Sequence, residues 1–122
     1  MTTKKGKKIS GGKYTKQRKK KKNERPGQRK VVKLSDVDKR KSKRVRGGNR
    51  KVFLLRVKVV NVQKNGKTKS AEIKKVIETP SNRFLARQNV VTKGTIVETS
   101  EGKVRITNRP TQEGILNGVL IE

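Results

Sequence analysis

The first 22 residues contain only three apolar side chains, Met1, Ile9 and Tyr14, among 11 lysines and arginines. A segment with so little to bury cannot offset the entropy of folding, so it is expected to be disordered when free. Any core must come from later in the chain, and the charge divides the same way. Residues 1–50 carry 22 Lys and Arg against 3 acids, whereas residues 51–122 carry 14 against 6. A chain of 122 residues with a net charge of +27 repels itself and requires a polyanion. The division predicts a basic extension over residues 1–42 and a folded body over residues 43–122.

Cysteine and histidine are both absent. That excludes disulfides, thiolate and imidazole metal sites, Cys nucleophiles and His general bases. The nine acids are scattered, and none pairs with another in an apolar setting. Neither catalysis, nor a metal, cofactor or small-molecule substrate, is expected. Gly12-Lys13 and Gly66-Lys67 lack the surroundings of a phosphate-binding P-loop. No run is long and apolar enough to span a bilayer, and no apolar stretch follows the N-terminal lysines, so neither a membrane partner nor a secretory leader is expected.

The body reads as short strands separated by turn signals. Val31–Val37 is a mixed run suited to a sheet edge. Arg50–Gln63 is the strongest strand, with Phe53, Leu55, Val57 and Val59 on one face and Val52, Leu54, Arg56, Lys58 and Val60 on the other. Asn65-Gly66 predicts a hairpin. The return strand, Thr68–Thr79, slips phase at Lys74-Lys75, which suggests a bulge. Arg83–Asn89 reads as one helical turn capped by Ser81 or Asn82. Strands Thr95–Thr99 and Lys103–Asn108 follow, the latter with Val104 and Ile106 inward. The nearly all-apolar run Ile115–Ile121 is expected to be central to the core. Many short strands and little helix predict a mainly β protein, a small antiparallel β-barrel or sandwich with a long basic N-terminal extension.

Three basic groups are candidate contacts for a polyanion, either nucleic acid or an anionic surface. The first is the tail, comprising Lys4, Lys5, Lys7, Lys8, Lys13, Tyr14, Lys16, Arg18, Lys19, Lys20, Lys21 and Lys22. Such density attracts phosphate, with counterion release on each contact, but carries no base identity. The second is the turn Gly47-Gly48-Asn49, framed by Arg44, Arg46, Arg50 and Lys51. Gly-Gly-Asn suits positive φ and close backbone approach, and a phosphate could seat there; a tight turn between two elements accounts for it equally. The third is Arg83, Arg87 and Lys93, which solvated surface cations account for equally. Tyr14, Phe53 and Phe84 are the only aromatics. That is too few for a base-stacking sheet, and Phe53 is expected in the core. Recognition by shape and backbone, as suits folded RNA, is expected.

Ser10-Gly11-Gly12, followed by Arg18-Lys19-Lys20-Lys21-Lys22-Asn23-Glu24 and Gly27, resembles the N-terminal signature of small-subunit ribosomal protein eight of the archaeal and eukaryotic type. Val45-Arg46-Gly47-Gly48-Asn49-Arg50-Lys51 resembles that family's second block. Asn82-Arg83 through Thr92-Lys93-Gly94, Val104–Thr107, and Arg109-Pro110 to Gly114 with Asn117 and Val119–Glu122 resemble its archaeal members, as does the short length. Pro26, within Glu24-Arg25-Pro26-Gly27, departs from the pattern. The resemblance implies a barrel-like body whose basic extension inserts into small-subunit ribosomal RNA. It implies a structural constituent of the cytoplasmic ribosome, with that RNA and neighbouring ribosomal proteins as partners. A ribosome assembly factor of related sequence and a general nucleic-acid-compacting protein are the alternatives.

Overall fold

The computed structural model describes residues 6–15 and 17–121. Lys4, Lys5 and Lys16 therefore lie outside the described residues. Every described residue from Gly6 to Val31 is exposed. Structure in this stretch is local. Lys7 bridges Lys13 across a turn in which Gly11 takes φ 77°. Lys8 N–H donates to Gly12 O at 2.8 Å. A single 3-10 turn, Lys22–Glu24, is closed by the Glu24 carboxylate, which accepts from Lys21 N–H at 3.1 Å and pairs with Arg18 at 2.8 Å.

The fold is mainly β, with two sheets. β1 (Lys33–Leu34), β2 (Lys39–Arg44) and β3 (Arg50–Val57) form a three-stranded sheet in the order β1-β3-β2, with β1 parallel and β2 antiparallel to β3. β4 (Val59–Lys64), β5 (Lys67–Glu78), β6 (Ile96–Thr99), β7 (Gly102–Ile106) and β8 (Asn117–Leu120) form a closed barrel. Neighbours in it are antiparallel except at the closure, where β8 runs parallel to β4. One short helix, α1 (Arg83–Arg87), connects β5 to β6.

The core fills this barrel and extends beneath the smaller sheet. Val60, Val62, Ala71, Ile73, Val76, Val97, Val104, Ile106 and Leu116 come from the barrel side, and Val32, Leu54, Val57 and Val91 join them. A five-stranded barrel is narrow enough for side chains to fill it. Gly118 makes the closure possible: a Cβ there would collide with Val104 Cγ1 and press on the Arg105 carbonyl. The body's contacts begin at Val32, whose carbonyl accepts from Val91 N–H at 2.9 Å, and β2 pairs along β3, so both reach N-terminal of residue 43.

Several local expectations match. Asn65 and Gly66 take φ 48° and 77° at the β4–β5 hairpin. The β5 register shifts between Ile73 and Lys75, around Lys74. Val104 and Ile106 face inward. Two differ. Arg50–Gln63 is two strands in different sheets rather than one. The break is at Lys58, whose amide donates to Asp38 Oδ1 at 2.6 Å; a side chain takes the place of a ladder partner there. The inward set accordingly changes phase, from Phe53, Leu54 and Val57 to Val60 and Val62. Ile115–Ile121 is not uniformly central. Leu116 and Gly118 face in, while Ile115, Val119 and Ile121 stay exposed, because a barrel strand buries one face only.

Candidate nucleic-acid interface

The most basic structured element is the β2–β3 hairpin. Every residue of β2 is exposed, as are the first three of β3. Its tip is closed by Val45 N–H donating to Asn49 O at 2.8 Å and Gly48 N–H to Val45 O at 3.3 Å. Gly47 and Gly48 take φ 83° and 86°, a conformation that side-chain-bearing residues rarely adopt. A Cβ at either would meet nothing within 4 Å. The glycines thus serve the backbone conformation and not crowding within the chain. The face they expose is open to a partner.

Register sets the electrostatics of this hairpin. Arg44 lies opposite Arg50, and Lys43 opposite Lys51. Like charges directly opposed across a strand pair destabilise it. Among the described residues the ion pairs are Arg18–Glu24, Arg40–Asp38, Lys58–Glu72 and Lys75–Glu98, and none involves these four cations or Arg46. No acid occurs in sequence between Asp38 and Glu72. The hairpin therefore concentrates cations that form no ion pair among the described residues, although Glu113 lines the same groove as Arg50 and Lys51. Lys41 lies opposite Phe53 on the face that carries Lys43 and Lys51, and Lys30 Nζ sits 3.6 Å from the Phe53 ring centroid. Phe53 itself is buried, as expected. A groove of about 770 Å³ runs between Lys30, Arg50 and Lys51 on one side and Gln112, Glu113 and Gly114 on the other.

The other predicted groups lie on other elements. In the tail, Lys7, Lys8, Lys13 and Tyr14 share the small turn at Gly11, with Lys8 Nζ 5.8 Å from the Tyr14 ring centroid. Arg18 is engaged with Glu24, and Lys19, Lys20, Lys21 and Lys22 are exposed. Arg83 and Arg87 stand on α1, four residues apart and so on one side of the helix. Asn82 caps it, accepting from Phe84 N–H at 2.9 Å. Lys93 follows Thr92, whose hydroxyl lies 3.4 Å from that of Ser81 just before the helix.

Sequence reasoning missed other cations. Lys39, Arg40 and Lys41 form the exposed edge of the smaller sheet, and β2 has no apolar residue from which a strand period could be read. Lys64 lies opposite Lys67 at the second hairpin, a pairing that Asn65-Gly66 implies once its turn is recognised.

Residues 1–121 match the family described as ribosomal protein S8e. The chain is similar to the small ribosomal subunit protein eS8 of Staphylothermus marinus, 48% identical over 117 residues that cover 94% of this chain and 91% of the relative. It is similar also to the eS8 proteins of Nanoarchaeum equitans, 46% identical over 93% of this chain and 91% of the relative, and of Pyrobaculum aerophilum, 46% identical over 95% and 91%.

Proposed function

The chain belongs to the ribosomal protein S8e family, and from that premise we propose that it binds folded small-subunit ribosomal RNA through its basic extension and the tip of the β2–β3 hairpin. Membership places it among the structural proteins of the small ribosomal subunit and not among enzymes. The barrel is the rigid body that docks; the extension, which we end before Val32, orders on the RNA as it binds. On the ribosome in the cytoplasm, its partners are that RNA and neighbouring ribosomal proteins.

The observation that supports this reading best is the hairpin tip, where Arg44 faces Arg50 and Lys43 faces Lys51 without an acid partner among the described residues. Phosphate between these cations turns a repulsion into charge-assisted hydrogen bonds, and the arginine forks can grip a phosphate with two donors. The open glycines let an RNA backbone come close. The tail adds charge that fixes position without reading bases. A-form RNA offers shape and backbone more readily than base edges, which suits a chain with few exposed aromatics.

Crosslinking of the protein within purified small subunits, with sequencing of the attached RNA, tests the proposal. Crosslinks from Lys43, Lys51 and the tail to small-subunit ribosomal RNA are the expected result. Crosslinks confined to other faces, or to protein alone, overturn it.

A further inference from the structure

Phe84 is the aromatic that the fold leaves unexplained. Of the two phenylalanines, Phe53 is 6% exposed beneath Lys30, whereas Phe84 is 63% exposed. Its position is nonetheless fixed. Asn82 holds its amide, Ala86 packs against the core, and Leu85 O accepts from Gln88 N–H at 3.1 Å and Val90 N–H at 3.0 Å. The ring is therefore presented outward from an anchored turn. Arg83 precedes it, Arg87 lies one turn later, and no acid occurs in sequence between Glu78 and Glu98. An apolar flat ring bordered by cations complements a ligand with a flat π-face and a negative backbone. A nucleotide has both.

We propose that Phe84 stacks on an unpaired base of the bound ribosomal RNA, while Arg83 and Arg87 hold phosphates beside it. The inference rests on the RNA-binding reading above. The base must come from a loop, bulge or strand end, since a base inside an A-form helix is already stacked on both faces. Stacking would tolerate any base, so this contact fixes docking without reading sequence.

The chain contains no tryptophan, so full-length Phe84→Trp carries a single indole reporter at this position. Phe84→Trp, Phe84→Leu and wild type are titrated with transcribed small-subunit ribosomal RNA. Wild type and Phe84→Trp should bind alike, and Phe84→Leu, which keeps apolar bulk but lacks a π-face, should bind about 5- to 150-fold more weakly. The salt slope should be the same in all three, because no phosphate contact is removed. The indole emission should be quenched on binding and shielded from acrylamide. Phe84 is exposed, so melting temperatures should stay together and report that the variants are folded. Leu binding as well as Phe, or Trp bound at full affinity with unchanged emission, overturns the inference and leaves a protein surface as the ring's cover. Failure of the wild-type protein to bind the RNA at all overturns the RNA-binding reading with it, and is distinct from either result.

Discussion

At the scale of single residues, Gly48 decides between a turn that only connects strands and one that seats phosphate. Its φ of 86° strains any β-branched replacement, yet a Cβ there meets nothing within 4 Å. Strain of roughly 1–2 kcal/mol is expected from that conformation, at a tip remote from the barrel core. Gly48→Val should lower the melting temperature by less than roughly 15 °C, and local rearrangement of the exposed loop reduces the shift further. RNA affinity of the folded protein should fall at least about tenfold, because the side chain blocks approach and displaces Arg46 and Arg50 from charge-assisted bonds. Melting temperature and affinity measured on the same sample separate the cases: a lowered melting temperature with unchanged affinity per folded molecule would falsify the phosphate seat. Residue chemistry of this kind is legible without coordinates. Gly-Gly-Asn and Asn-Gly announce positive φ because few other residues tolerate it. The exposure of Phe84 is not legible, since nothing local distinguishes a buried phenylalanine from a presented one.

At the scale of elements, legibility follows the range of the interactions. The β4–β5 hairpin, the Lys74 bulge, the Asn82 cap and the Val104/Ile106 alternation depend on neighbours in sequence. The end of β3 depends on Asp38 taking the Lys58 amide, 20 residues away, so in sequence the strand reads straight through. β2 carries no apolar period, so only its pairing with β3 reveals it as a strand. The same pairing makes a prediction that structural and functional roles answer with opposite signs. Lys43→Glu replaces a repulsive pair with an attractive one across from Lys51. Cross-strand charge pairs contribute roughly 0.2–1 kcal/mol, so thermal unfolding should move up by about 1–8 °C. RNA binding should weaken all the same, and the salt slope should shrink by about 1 because one phosphate is no longer neutralised. A variant that is more stable and binds equally well would show that the hairpin cations face solvent and not RNA.

At the scale of the whole molecule, a barrel with one small core carries far more charge than it uses for its own structure. The four ion pairs among the described residues occupy few of its 36 lysines and arginines. That the described residues up to Lys22 bury nothing is legible from where apolar residues lie, but the packing that starts at Val32, and the parallel closure of β8 on β4, which joins residues 56 apart, have no local signature. The tail's contribution is separable because none of its described residues is buried. The protein lacking residues 1–22 should melt with the full chain and should retain the barrel's amide protection. In the full-length free protein, backbone order parameters across residues 6–15 and 17–22 should fall below about 0.6, against about 0.85 in the barrel. RNA binding should divide differently. If the full chain neutralises roughly 6–10 phosphates, its affinity should drop about 10³–10⁵-fold between 50 and 200 mM salt. Removing residues 1–22 takes away 11 of the cations, so the slope should flatten while the hairpin keeps a residual one. Titrations of both proteins over that salt range decide the matter. An unchanged slope would mean that the tail is not the electrostatic anchor and that the cations of the folded body carry the affinity alone.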